Sequence, residues 1–289
     1  LAGSRAAVGN LSIPANVTID NTNGTGLKVL TGTTLTLAKT PVSPSGKQLF
    51  FNATAGLGTV VLNGKYAGAD WFGTNTTPGT TDMTAAIQAA IIAVGGGVVS
   101  LGGDTYATTT TITGGTSGAS LIGQGRNVTT IHKLSGAGDI ITTPAAIRGY
   151  TIAHMDIKGA AGVGDCISFT ADFGHIQLKD LILEVAAGSK GVNASAGNGI
   201  DAHLQDIRST GGVIGFDFGS GGVSINGSTL IDCYSTLATT SGFNFSNGGA
   251  SLINCSADTN AIGYTLGGQV SLMNCSAEGN TSRGFWVPG

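Results

Sequence analysis

The chain has 289 residues, of which 49 are glycine and only 10% are charged. An average domain has roughly 7% glycine and roughly 25% charged residues. With 41% hydrophobic residues the chain does not have a disordered composition, and its two glutamates are too few for a long coiled coil. The net charge of −3 and the scarcity of basic residues exclude nucleic acid as an expected partner. We therefore expect β structure with many tight turns.

In chain order, the first predicted element is a strand-rich lead-in over residues 1–68. Apolar residues at helical spacing then predict a helix from about Met83 to Val94, with Asp82 near its start and Gly95 at its end. The apolar stretch over 84–103 is interrupted by Gln88 and three glycines, so it predicts a buried helix followed by a strand, and no membrane insertion. Short strands are predicted next, at Val98–Leu101, Thr109–Thr113 and Ser120–Ile122.

In the second half of the chain, an Asp or Asn before a small or branched apolar residue recurs every 20 to 26 residues. Asp and Asn tolerate left-handed backbone better than most residues, so each is predicted to form a corner of a repeated coil. Stacked coils would place these side chains in a hydrogen-bonded ladder. The members of this series are Asp156, Asp180, Asp206, Asp232, Asn254 and Asn274.

A second series, half a period out of phase, has the pattern Gly-apolar-x-apolar. Alternation along a strand points its apolar residues inward and the residues between them outward. One such repeat cannot bury its own apolar face, so the coils must stack into a solenoid. The predicted inward positions are Val192, Phe216, Phe243, Tyr264 and Phe285, and the predicted outward row is Ser168, Asn193, Asp217, Asn244, Thr265 and Trp286.

The two series predict an all-β fold, a parallel β-helix over residues 136–289. Residues 69–135 are predicted to hold a short capping α-helix and the first coils, and we expect the solenoid to continue or to be capped beyond Gly289. Cys233, Cys255 and Cys275 fall on one inward position, which predicts free buried thiols. The cysteine spacing matches no zinc site, and no metal or cofactor is expected.

A set of segments before the repeats forms a recognisable pattern: Trp71–Gly73, Thr81–Ala90, Gly95–Leu101, Tyr106 and Ser120–Gly125. This pattern resembles the opening segment of the pectate-lyase-like β-helix superfamily, and in particular that of bacteriophage tailspikes. The resemblance implies a right-handed parallel β-helix and carbohydrate as the substrate class. For a tailspike it also implies a homotrimer on the virion tail, in contact with other tail proteins.

The chain departs from the family at several points. Where members usually have a Pro-x-Gly-x-Tyr turn, this chain has Gly102-Gly103-Asp104-Thr105-Tyr106. The catalytic motifs of polygalacturonases and the acidic calcium cluster of pectate lyases have no counterpart here. The resemblance therefore supplies no catalytic residue, and candidates have to come from the repeat itself.

The first candidate site is the pair Asp258 and Glu278, each three residues after a ladder cysteine. Neighbouring strands lie roughly 4.8 Å apart, close to the roughly 5 Å that separates the carboxyl groups of retaining glycosidases. Two like charges at that distance would raise one pKa, as an acid/base pair requires. The alternative is a solvated pair at a turn, relieved by Arg283.

The second candidate is Asp217 in the outward row. In the superfamily this sheet commonly lines the substrate groove, so the resemblance implies that the row faces sugar. Asn193 and Asn244 would bind hydroxyl groups and Trp286 would stack on a sugar ring, with Arg283 beside it. An ordinary solvated sheet face is the alternative. His154, His175 and His203 are expected to lie at the surface or the edge of the core.

These observations favour a phage tailspike-type protein that binds a bacterial surface polysaccharide and depolymerises it, as a hydrolase or a lyase. Two alternatives remain open. One is a non-catalytic receptor-binding or structural spike, which would bind glycan without cleaving it. The other is a secreted bacterial polysaccharide lyase or epimerase, which a monomeric, calcium-dependent protein would favour.

Overall fold

The structure is a computed structural model that describes residues 5–7, 10–22, 26–43, 46–51, 58–114, 118–143, 147–219 and 225–288. The predicted lead-in falls partly outside these residues, for example at 52–57. The described strands form four sheets in which neighbouring strands run parallel. Among the described helices, none has both the length and the apolar character needed to cross a membrane.

The lead-in winds in the same parallel manner as the repeats. Leu11 lies opposite Leu35, which lies opposite Val60, so each turn takes about 24 residues. Its two three-stranded sheets consist of Arg5–Ala7, Leu27–Val29 and Phe50–Phe51, and of Leu11–Ile13, Thr34–Leu37 and Thr59–Leu62.

The predicted solenoid is confirmed as a parallel β-helix built from two large sheets. The seventeen-stranded sheet contains Tyr66–Gly68, Val98–Ser100, Thr105–Thr108, Ser120–Ile122, Thr130–Lys133, Ile147–Arg148, Thr151–Gly159, Phe173–Gly174, Gln177–Val185, Gly199–Ile200, His203–Gly211, Ile225–Ile231, Tyr234–Thr236, Gly248–Ile253, Ser256–Asp258, Gln269–Met273 and Ser276–Glu278. The eight-stranded sheet contains Ile112–Thr113, Ile141–Thr143, Ile167–Phe169, Lys190–Asn193, Ile214–Asp217, Ser241–Phe245, Ile262–Leu266 and Arg283–Trp286.

The predicted capping helix is present at Thr84–Val94 and ends at Gly95, whose backbone is left-handed. Asp82 accepts hydrogen bonds from the backbone N–H of Thr84 (2.9 Å) and from its hydroxyl (2.6 Å). The helix is largely buried, because it packs both against the lead-in strand Thr59–Leu62 and against Val98–Ser100 of the seventeen-stranded sheet. A short 3-10 helix, Ala69–Trp71, precedes it.

The predicted corners of the coils are confirmed with one exception. Five members of the Asp/Asn series have left-handed backbone, with φ between 53° and 56°. In the first of the six coils, however, the left-handed residue is His154 (φ 61°), two residues before Asp156. Asp156 instead lies past the corner, on the strand, opposite Ile182. The confirmed corners are Asp180, Asp206, Asp232, Asn254 and Asn274.

The core of the eight-stranded sheet is a stack of aromatic rings. Phe216, Phe243, Tyr264 and Phe285 follow one another at centroid distances of 4.8–4.9 Å and nearly parallel planes. The first three are fully buried, whereas Phe285, which the alternation predicts to be inward, is 48% exposed on the last described coil. The glycine before each of the first three rings is required by close approach; a Cβ on Gly215, for example, would lie 2.7 Å from a backbone oxygen of the next coil. The cysteines are free, as predicted; Cys233 and Cys255 are also buried, whereas Cys275 is only partly buried.

Candidate functional site

The residues of the predicted outward row of the eight-stranded sheet lie in register, but most of their side chains are buried. Asn193, Asp217, Asn244, Thr265 and Trp286 lie opposite one another on successive coils. The side chain of Asp217 is completely buried, where the alternation had predicted an outward, accessible one.

The polar groups of this row bind one another between coils. Lys190 Nζ lies 2.5 Å from Asp217 Oδ2, and Asn244 Nδ2 donates to Asp217 Oδ1 at 2.8 Å. One coil earlier, Asn193 Nδ2 donates to Asp165 Oδ2 at 2.6 Å. Burial raises the pKa of Asp165. Each carboxylate thus has partners within the protein, an arrangement that stabilises the stack, and a catalytic role for Asp217 stays a prediction.

The other predicted pair, Asp258 and Glu278, lies in register on neighbouring coils near the end of the described chain. Asp258 accepts a hydrogen bond from the hydroxyl of Ser256 at 3.0 Å. Arg283 does not join the ion pairs found among the described residues, because its guanidinium lies over the ring of Trp286 at 5.4 Å. The structure therefore places the acidic pair and the predicted sugar-binding pair Arg283 and Trp286 as separate groups.

A charged cluster lies on the outer face of the seventeen-stranded sheet. Arg126 Nε contacts Asp180 Oδ1 at 2.6 Å, and its two terminal nitrogens contact the carboxylate of Asp206 at 3.0 and 3.1 Å. His154 Nδ1 lies 2.9 Å from the other oxygen of Asp180. Asp180 is therefore oriented from two sides by a guanidinium and an imidazole.

Asp156 lies beside this cluster and, unlike Asp180 and Asp206, has a carboxylate oxygen that is not paired with a basic side chain among the described residues. Its Oδ2 accepts a hydrogen bond from the backbone N–H of Asn127 at 3.2 Å. Its Oδ1 is buried without a hydrogen-bond partner in the part of the chain that the structure describes. Burial raises the pKa of Asp156, and the nearby charges of Glu184 and Asp180 raise it further. The hydrogen bond from Asn127 and the charge of Arg126 act in the opposite direction, and the net effect is a pKa above that of a free aspartate.

A groove continues from the cluster along the same face. Arg208 lies over the ring of Tyr234 at 5.2 Å, and Lys158 Nζ contacts Glu184 Oε2 at 2.6 Å. Two open cavities of about 450 and about 370 Å³ meet at Arg208, the first bordered by Glu184 and the second by Arg126. We name this surface the charged groove; of its residues, Arg126, Glu184, Asp206, Arg208, Asp232 and Tyr234 line the two cavities, and His154, Asp156, Lys158 and Asp180 adjoin them.

The charged groove places a carboxyl group whose pKa is raised next to a carboxylate held by a cation. This is the combination that acid/base cleavage of a glycosidic bond requires, because one group gives a proton while the other carries charge. The described residues contain no group of three or more His, Cys, Asp or Glu side chains arranged to hold a metal ion.

Comparison with known proteins adds a fold relationship. No family model and no curated protein matches the sequence. Among solved structures, the A-module of mannuronan C-5 epimerase AlgE6 from Azotobacter vinelandii is similar, with a TM-score of 0.54, 17% identity, and coverage of 75% of this chain and 71% of that one. ORF18 of Geobacillus virus E2 also matches, with a TM-score of 0.40, 17% identity and coverage of 78% and 61%. At this identity the likeness to the epimerase module establishes a shared fold, the parallel β-helix.

Proposed function

We propose that this protein is a tailspike-type glycoside hydrolase that binds a bacterial surface polysaccharide in the charged groove and cleaves it. The observation that carries the proposal is Asp156, a half-buried carboxyl with an unpartnered oxygen, beside the cation-bound carboxylate of Asp180. The resemblance of the opening segment to tailspikes supports the phage context. We extend that context to assembly as a homotrimer, which light scattering tests.

The chemistry assigns one role to each carboxyl group. Asp156 gives its proton to the glycosidic oxygen, so the leaving sugar departs as an alcohol. Asp180 faces the positive charge that develops at the anomeric carbon and takes up the proton lost by the attacking water. Arg126 and His154 orient Asp180 and touch no reacting atom. The oxygen of that water ends on the anomeric carbon, and the product is a new reducing end.

The charge of the groove favours a neutral polysaccharide over a uronate polymer. With Asp156 protonated, the other four acidic side chains face three permanent cations, so an anionic chain would meet net repulsion. Neutral sugars instead require hydrogen-bond partners and a flat apolar surface, which Arg208 and Tyr234 supply together. The acidic residues are Asp156, Asp180, Glu184, Asp206 and Asp232, and the cations are Arg126, Lys158 and Arg208.

The test is incubation with a panel of bacterial surface polysaccharides, with new reducing ends as the readout. Asp156→Asn is expected to lower kcat by about 10²- to 10⁴-fold, the usual contribution of a general acid. Asp180→Asn is expected to lower it to a similar extent. Asp201→Asn is the matched control, because Asp201 also has left-handed backbone and pairs with a histidine (His175, 3.3 Å), but lies outside the charged groove.

The same assay separates this site from the earlier candidates. If Asp217→Asn or the double variant Asp258→Asn/Glu278→Gln abolished cleavage while Asp156→Asn kept full activity, the assignment to the charged groove would be wrong. Tight glycan binding with no cleavage at any protein concentration would support the non-catalytic spike instead.

A second candidate function is a polysaccharide lyase or epimerase, and one observation favours it. The pair His154 and Asp180 could remove the proton next to the carboxylate of a uronate, with Arg126 alongside. The similar AlgE6 module is by its name a mannuronan epimerase. Absorbance of unsaturated uronates would identify a lyase, and exchange of solvent deuterium into an uncleaved uronate polymer would identify an epimerase.

A further inference from the structure

A second pocket lies between the lead-in and the first coils, apart from the charged groove. It has a volume of about 370 Å³ and is bordered by Pro41–Ser43 of the lead-in and by the first solenoid strands. Its remaining lining residues are Tyr66, Gly68, Asp70, Trp71, Ser100, Gly102 and Gln124. This set combines aromatic rings, a carboxyl group, an amide and hydroxyl groups around one concavity.

Trp71 provides an unpartnered donor in this pocket. The side chain is 5% exposed, and among the described residues its indole Nε1 has no hydrogen-bond partner. Gly68 lies directly above it, since a Cβ on Gly68 would be 3.1 Å from Nε1. Any residue can adopt the backbone conformation of Gly68 (φ −85°, ψ 139°). The effect of having glycine at this position is therefore that no side chain fills the space over the indole ring.

The walls of the pocket offer a flat ring and further polar groups. Tyr66 is 40% exposed and is held edge-to-face against Trp71, at 5.8 Å and 70°. The carboxyl of Asp70 makes only long contacts, 3.2–3.3 Å to the hydroxyl of Tyr106 and 3.2 Å to the N–H of Gly46, so it retains capacity for another donor. Gln124 is exposed, and its side-chain amide has no partner among the described residues.

We propose that this pocket is a second carbohydrate-binding site, which takes one neutral pyranose unit of the polysaccharide. Tyr66 stacks on the face of the sugar, the indole N–H of Trp71 donates to a hydroxyl, and Asp70 accepts from another. Gln124 supplies both a donor and an acceptor at the rim. The assignment of a polysaccharide unit rests on the proposed function. A site of this kind, away from the cleavage groove, would hold the polymer between turnovers.

The experiment uses the two tryptophans of the chain as reporters. Protein labelled with ¹⁵N-tryptophan gives two indole N–H resonances, which Trp286→Phe assigns. Methyl glycosides of glucose, galactose, mannose and N-acetylglucosamine are added in turn up to tens of millimolar. At least one is expected to shift the Trp71 resonance, and Tyr66→Ala is expected to weaken that binding about tenfold, as the loss of one stacking contact predicts.

Two variants and one control complete the test. Gly68→Val fills the space above the indole and is expected to abolish the shift, and Gln124→Ala, at an exposed position, is expected to weaken binding several-fold without affecting folding. Ile200→Ala, at a similarly exposed apolar residue far along the chain, is expected to leave it unchanged. A Trp71 resonance that no glycoside moves would overturn the proposal, as would a shift that Tyr66→Ala and Gly68→Val leave intact. If binding follows these expectations while no polysaccharide is cleaved, the second site stands and the proposed hydrolase fails.

Discussion

Two polar surfaces of the same solenoid differ in how their charges are satisfied. In the row around Asp217, each described charged or amide group binds a group on a neighbouring coil, and Asp217 itself is completely buried. In the charged groove, the ion pairs of Arg126 are open to solvent, with side-chain exposures of 24–50%, and Asp156 keeps an oxygen without a partner among the described residues. A satisfied buried ladder holds coils together, whereas partly exposed ion pairs such as those of Arg126 leave charged groups accessible to a ligand.

The contrast predicts that the largest loss of stability comes from the buried row. Asp217→Asn removes the charge that pairs with Lys190, and breaking a buried ion pair costs roughly 3–5 kcal/mol. Because the side chain of Lys190 is 23% exposed, we expect about 3 kcal/mol, the lower end of that range. Urea unfolding measures it, with Asp201→Asn as the exposed control. An equal loss of unfolding free energy in the two variants would show that the buried row contributes no more to stability than an exposed aspartate does.

The charged groove is expected to show the opposite balance of stability and activity. Arg126→Ala removes contacts to two partly exposed aspartates, and such pairs contribute about 1 kcal/mol or less. The loss should shrink further at high salt. Cleavage is expected to fall roughly a hundredfold, because Asp180 loses the group that orients it. Arg148→Ala, at an exposed arginine outside the groove, is the control.

A third prediction concerns pH. Because burial raises the pKa of Asp156 above its ordinary value of 3.8, folding favours the protonated form. The contribution of Asp156 to the stability of the folded state is therefore complete below pH 3.8 and is lost as the pH rises through the higher pKa that this carboxyl has in the folded state. The thermal unfolding temperature of the native protein should therefore fall with rising pH relative to that of Asp156→Asn. A constant difference between the two proteins would contradict the raised pKa of Asp156.

The smallest expected effect is at the exposed pair Lys158 and Glu184. A double-mutant cycle should give a coupling of about 0.5 kcal/mol or less. Glu184→Gln nonetheless removes a charge that raises the pKa of Asp156. The alkaline limb of the pH–rate profile should therefore move to lower pH, because the acid loses its proton sooner. An unmoved limb would show that Asp156 is not the acid.

The sequence predicted the framework of the fold in detail. Left-handed corners, free cysteines, the capping helix and the alternation of Phe216 and Asp217 all follow from local residue preferences repeated at a fixed period. The error at His154 also has a local cause, since the first coil of the series places a histidine at the corner. That shift of two residues moves Asp156 from the ladder to the groove-facing strand.

The candidate site was less accessible to sequence reasoning. Asp180 and Asp206 were recognised only as ladder residues, because nothing nearby in sequence shows the cation between them. Arg126 is 80 residues away from Asp206 and comes from a coil outside the repeat. Arg208 and Tyr234 likewise meet only because their coils stack.

The sequence by itself determined which residues face the core, because alternation and glycine spacing are properties of a single coil. Only the tertiary structure decided which outward residues are satisfied by a neighbouring coil and which stay open. Whether an outward residue is paired depends on how each coil is aligned with the next one and on how deeply each polar atom is buried. For this reason Asp217 is completely buried and paired with Lys190, whereas Asp156 is half-buried and has one oxygen without a partner among the described residues.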